Sequence, residues 1–240
     1  MTGLGTLINT AAIAAGGLAG LVFGKFMTSR YQDTLNSACG LCVIFIGIAG
    51  TLEKMMSVTE SGLISGHTMI VIGSFTLGSL LGELLNIEYH LESFGNWLKA
   101  KTGSSGDLMF VEGFVNASLT VCIGAMAVVG AIRDGIQGDF SILAAKAVLD
   151  FIIILVMTAS MGKGCLFSAI PVAVFQGSIT LLARVIAPLM TASALDNLSL
   201  TGSMLIFCVG VNLIWGKKIK VANMLPTLMV SVVWTAFTAA

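Results

Sequence analysis

The feature that most constrains this chain is a series of apolar runs, each of about 16 to 23 residues, separated by short polar connections. A helix of about 20 apolar residues matches the hydrocarbon thickness of a bilayer, and only helices and closed barrels satisfy their backbone polar groups there. The period-two alternation of a membrane barrel is absent. The expected fold class is therefore all-α: a polytopic membrane protein with about eight transmembrane helices in a single integral membrane domain, residues 1–240. Spans are expected near about 6–24, 37–52, 66–86, 111–133, 141–161, 166–187, 201–216 and 222–239. The second and seventh look short for the core, so thin bilayer or partial unwinding is expected there. Composition agrees: 10% of residues are charged, against about 25% in soluble domains. A net charge of zero and the lack of a basic block give no basis for a nucleic-acid partner.

The first run lacks a positive n-region, and its first charge is Lys25, so it is read as a retained span rather than a signal peptide. Gly16, Gly20 and Gly24 form two overlapping GxxxG motifs, a packing ridge. Loops expected on one side hold Lys25, Arg30, Lys99, Lys101, Lys163, Lys217, Lys218 and Lys220; those on the other hold only Lys54 and Arg133. That asymmetry places both termini outside and the basic loops in the cytoplasm. Shifting the chain by 58 positions lays Gly20 on Gly78, Gly24 on Gly82 and Tyr31 on Tyr89, so a two-helix internal repeat is expected. Its units fall at about 6–52 and 66–133, with the remaining helices at 141–239. A weaker echo from Ser203 would run in the opposite sense, as in transporters built from inverted repeats. Ile87, Leu91, Phe94 and Leu98 share a face, with Glu88, Glu92 and Lys99 off it, which predicts a cytoplasmic interfacial helix.

Within the apolar runs the polar residues are ordered. At roughly 100° per residue, Glu112, Asn116, Thr120, Ile123, Ala127, Gly130 and Asp134 fall on one face of a continuous helix. Polar groups facing hydrocarbon cost several kcal/mol unless paired, so this stripe should face protein or water. It reads either as the wall of a solute or ion path or as a tight helix seam in which Asn116 bonds across the gap. Asn9, above the glycine ridge, carries the same two readings. Lys146 and Asp150 lie four apart on one helix face, as a neutralising pair or an ion or proton site, with Lys146 near enough to the outer end to snorkel. Ala169, Ala173, Gln176, Thr180, Ala183, Arg184 and Ala187 form a second small and polar stripe. Asn212 is a lone amide in the seventh span. Gly162 and Gly164 around Lys163 read as a cytoplasmic turn or an anion-attracting helix start.

Recognisable reaction chemistry is missing. No HExxH, Walker A loop or GxGxxG occurs, His67 and His90 lie at span edges, and clustered Cys/His ligands are lacking. The five cysteines, including the Cys39-Gly-Leu-Cys42 spacing, read as buried small hydrophobes. No enzymatic activity and no cofactor are expected, and no metal can be named. With GTLIN at 5–9, EGFVNASL at 112–119, CIGAMAVVGAIRDG at 122–135, KAVLD at 146–150 and SAIPVAVFQG at 168–177, the chain resembles the YdfK/YqgA-type bacterial inner-membrane proteins, a family known as a domain of unknown function. The resemblance implies a multi-pass protein of the bacterial plasma membrane and supplies no substrate. The residues themselves lead to the expectation of a small secondary transporter or channel for a small solute or ion, embedded in the lipid bilayer and assembled as a homo-oligomer. Its path would be lined by Glu112, Asn116, Thr120, Asp150 and Gln176, with Asn9 and Asn212 as lesser candidates. The alternative is a non-transporting membrane subunit or scaffold, whose stripes only pack helices.

Overall fold

The computed structural model describes residues 2–59 and 62–238. Two long helices, α1 (Leu4–Gly24) and α2 (Ser29–Met55), lead into an antiparallel hairpin of β1 (Met56–Thr59) and β2 (Gly62–Ser65), with Met56 opposite Ser65. Then follow α3 (Thr68–Leu85), α4 (Ile87–Lys101), α5 (Phe110–Cys122), α6 (Ala125–Gln137) and α7 (Ser141–Met161). A 3-10 turn over Lys163–Ser168 opens α8 (Ala169–Leu181), and the short α9 (Ala183–Ile186) precedes α10 (Ala192–Trp215). A further 3-10 turn, Val221–Met224, opens α11 (Pro226–Thr238).

Among the described residues, six helical segments are long and apolar enough to cross a membrane: α1, α2, α3, α7, the 3-10 turn with α8, and α10. The bent pair α5 and α6 makes up to seven, and the last apolar helix, Val221–Thr235, is shorter, so the count of eight is not reached on length. The two spans expected to be short are not. The second belongs to the 27-residue α2, because the polar stretch from Ser29 continues into the apolar run without a breaker. The seventh belongs to the 24-residue α10, which begins earlier at Ala192 and is capped by Thr191, whose side chain accepts the Ala194 N–H at 3.2 Å.

Glycine decides which helices pair. The α1 ridge lies along α7 so closely that a Cβ on Gly16 would strike the Phe151 carbonyl oxygen. The second ridge seats α3 on the turn before α11, where a Cβ on Gly82 would meet the Asn223 backbone. In lipid, where hydrophobicity cannot drive helices together, such backbone approach supplies the packing energy. α2 pairs in the same manner with α10. The core gathers around α5, whose Phe110, Phe114 and Val121 are buried with Met157, Met161 and Cys165.

The helix expected around Ile87–Lys99 is present as α4, with Leu98 buried and Phe94 stacked on Trp97. Glu88 departs from the expected outward face. It is buried, its carboxylate accepting the Ala222 N–H at 2.9 Å while its own N–H donates to Asn223 Oδ1 at 2.7 Å. All five thiols are free; Cys165 is buried, but Cys42 is exposed, because α2 is packed on few sides.

Candidate functional site

The stripe expected on one continuous helix is interrupted. The last α5 hydrogen bond runs from the Ile123 N–H to the Leu119 carbonyl at 3.0 Å, Ile123 itself is extended (φ −78°, ψ 125°), and Gly124 takes φ 144° and ψ 148° before α6 begins. The two axes meet at 62°. Glu112 and Asn116 therefore stay on α5, while Asp134 swings away on α6. There its buried carboxylate caps the start of α1, accepting the N–H groups of Gly3 at 3.2 Å and Gly5 at 2.9 Å. Only glycine occupies the Gly124 conformation readily. Gly124→Ala meets nothing within 4 Å, so its cost should be conformational alone, about 1 kcal/mol, seen as a lower unfolding midpoint in detergent.

A helix end leaves carbonyls without intrahelical partners, and here one is used. The buried Lys146 of α7 donates from Nζ to the Val121 carbonyl of α5 at 2.8 Å and also bonds the Asp150 carboxylate one turn along. Lys146 thus turns inward rather than snorkelling. Asn9 of α1 donates from Nδ2 to Asp150 Oδ2 at 3.0 Å and to Gln176 Oε1 of α8 at 3.2 Å. Because a carboxylate can only accept, Asn9 must present its NH2 to Asp150, and its Oδ1 must face elsewhere. Asn9 and Gln176 are fully buried, yet Asn9 Oδ1 and Gln176 Nε2 have no hydrogen-bond partner. Four elements therefore converge on a paired but incompletely satisfied polar cluster at the break in the α5–α6 helix.

Glu112 and Asn116 do not join this cluster. They line a separate pocket of about 360 Å³ with Glu88, Glu92, Asn212 and Lys217, between α4, α5 and the end of α10. Lys217 pairs with Glu88 at 3.1 Å and with Glu92. Burial opposes the Lys217 charge, but these two carboxylates outweigh it and raise its pKa above the ordinary value. Asn116 is buried, and its Nδ2 has no partner. Val121 lies five residues further along α5, about 7.5 Å by helical rise. Thr120 belongs to neither group; its hydroxyl donates to the Asn116 carbonyl of its own helix at 2.8 Å. Asn212 borders the pocket but is occupied locally, accepting the Lys218 and Ile219 N–H groups at 2.9 Å and donating to the Ile219 carbonyl at 2.8 Å. It closes the turn after α10.

The sequence reading missed the carbonyl of Val121 and the pocket residues Glu88, Glu92 and Lys217. Only Glu88 carried a signal, as a carboxylate at the very start of a helix next to the buried face. The Gly162–Gly164 stretch is explained by packing: Gly162 turns with φ 88°, Lys163 is exposed, and the Gly164 backbone presses on Phe110.

Long apolar helices, glycine-mediated pairing and buried intrahelical charges define a polytopic α-helical membrane protein. The chain belongs to the family described as protein of unknown function (DUF554), which it matches over residues 4–236. It is 30% identical over 226 residues to the uncharacterized membrane protein YdfK of Bacillus subtilis (strain 168), covering 94% of this chain and 93% of that one. It is 27% identical over 244 residues to the uncharacterized protein YqgA of Escherichia coli (strain K12), covering 98% of this chain and 99% of that one. No solved structure matches.

Proposed function

We propose that the protein is a small secondary transporter or channel, without enzymatic activity, in the bacterial plasma membrane. Its path runs from the acidic vestibule at Glu112 and Asn116 along α5 to the cluster of Asn9, Lys146, Asp150 and Gln176. One observation carries this reading: fully buried amides with unused hydrogen-bonding atoms sit beside a charge pair at a helix break. Buried polar atoms left unpaired cost about 1–3 kcal/mol each, a cost that pure scaffolding does not require. Broken helices with half-satisfied ends near the midplane are where transporters hold solutes and ions. The glycine ridges favour the alternative, a packing subunit, but they leave the unpartnered Asn9 Oδ1, Asn116 Nδ2 and Gln176 Nε2 unexplained. The basic-residue asymmetry supports both termini outside, and a homo-oligomer and a two-helix repeat remain part of the proposal.

The test is Gln176→Leu in purified protein reconstituted into vesicles. The leucine fills a similar volume and removes the amide, so the folded protein should persist while solute or ion flux falls at least about tenfold, the equivalent of one lost hydrogen bond of about 1.4 kcal/mol. Unchanged flux with an unchanged unfolding midpoint would sink the path.

A further inference from the structure

Resting on the path just described, of which the pocket between α4, α5 and the end of α10 is the mouth, we propose that this pocket binds a small protonated organic amine. Glu112 supplies the carboxylate for the ammonium, and Asn116 the carboxamide for a second polar group on the same ligand. The two lie four residues apart on α5, on one helix face and about 6 Å apart along its axis.

Neither side chain is used by the protein itself. Among the described residues, Glu112 makes no hydrogen bond or ion pair, and Lys217 acts on it only from beyond ion-pair distance. Lys217 is engaged instead with Glu88 and Glu92. The Asn116 side chain lines the pocket, is 4% exposed, and makes no hydrogen bond at either polar atom among the described residues. A buried amide without a partner is unfavourable until a polar group is brought to it. Because no hydrogen bond fixes its orientation, the carboxamide can turn either its N–H or its carbonyl to that group.

Charge and size select the class of ligand. The lining holds Glu88, Glu92 and Glu112 against Lys99 and Lys217, one negative charge in excess, which a monocation balances. A zwitterion would add a carboxylate to a lining already acidic, so the second polar group of the ligand is uncharged. A metal ion does not fit: among the described residues, no three His, Cys, Asp or Glu side chains are grouped to hold one. A carboxylate standing alone suits an ammonium, which needs acceptors for its three N–H donors rather than a full shell of oxygen ligands. The volume of about 360 Å³ falls within the range of small-molecule sites and far exceeds a bare ion. Leu108, Val111, Val115 and Leu119 give the remaining wall an apolar surface for a short hydrocarbon body.

Thermal unfolding of the full-length protein in lipid vesicles, at constant ionic strength and about pH 6, where an α-amine keeps its proton, tests this. Leucinamide carries the ammonium, a short apolar body and a carboxamide. Of its comparators, 4-methylpentanamide lacks the ammonium, leucine adds a carboxylate, and sodium chloride supplies a bare cation. Leucinamide should raise the wild-type midpoint saturably, and each comparator should need at least about tenfold more for the same rise. Glu112→Gln, which keeps the side chain's size, and Asn116→Ala should each weaken the leucinamide effect at least about tenfold; two variants guard against one that fails to fold. No leucinamide effect on the wild type, an equal effect of any comparator, or an undiminished effect in both variants overturns the amine site. Flux lost in Gln176→Leu with no leucinamide effect overturns the site and leaves the path intact. A leucinamide effect that depends on Glu112, with flux unchanged in Gln176→Leu, upholds the site and overturns the path.

Discussion

Replacing Asp150 with leucine should destabilise the protein by about 3–5 kcal/mol, because it leaves the Lys146 ammonium buried without its counter-charge. The Val121 carbonyl alone cannot offset that charge, and the Asn9 amide loses the acceptor it now holds at 3.0 Å. Denaturant unfolding in detergent micelles gives the measurement. The informative comparison is Lys146→Met combined with Asp150→Leu. Removing both charges replaces a buried pair by apolar contacts, a change often neutral for stability, so the double variant should recover most of the loss. A double variant as unstable as Asp150→Leu would mean that the two side chains do not act as a unit. Recovery of stability should bring no recovery of flux, since the charged groups of the proposed path are gone.

Gly164→Val should be the most damaging change among the glycines around α5. A Cβ there meets the Phe110 carbonyl oxygen, with its carbon at 2.7 Å and the Phe110 Cα at 3.0 Å. These are backbone atoms at the start of a helix, so no rotamer change relieves the clash and α5 itself must retreat. Overpacking of this kind costs about 1–3 kcal/mol and sometimes more; the upper end is expected, as a lowered midpoint in the same unfolding assay. Because α5 carries both Asn116 and the Val121 carbonyl, flux should fall as well. A small shift in stability with normal flux would show that α5 tolerates displacement.

Much of this architecture can be read from the residues. Apolar run length located most of the helices, GxxxG spacing found the faces of α1 and α3 that pack, and the four-residue interval joined Lys146 to Asp150. The break at Gly124 was hidden because the apolar period continues across it, and one glycine in a membrane helix is unremarkable for packing. The misplaced half of the stripe followed: Asp134 aligned with Glu112 only if the helix were straight. Asn9, Asp150 and Gln176 were each visible as intramembrane polar residues. Their meeting was not, since it depends on how α1, α7 and α8 dock, which local periodicity does not encode. Asn212 misled for a different reason: an amide near a helix end can serve its own turn, and here it does.

The pairing of α1 with α7 also sets an order of events during synthesis. Asn9 and Asp150 are 141 positions apart, so when the first helix enters the bilayer its amide has neither of the partners it will eventually hold. The opening segment must wait among lipids, or against provisional neighbours, until the seventh emerges from the ribosome. Its ridge of glycines stays uncovered for the same interval, which makes the nascent chain most vulnerable to wrong associations just before its middle helices arrive.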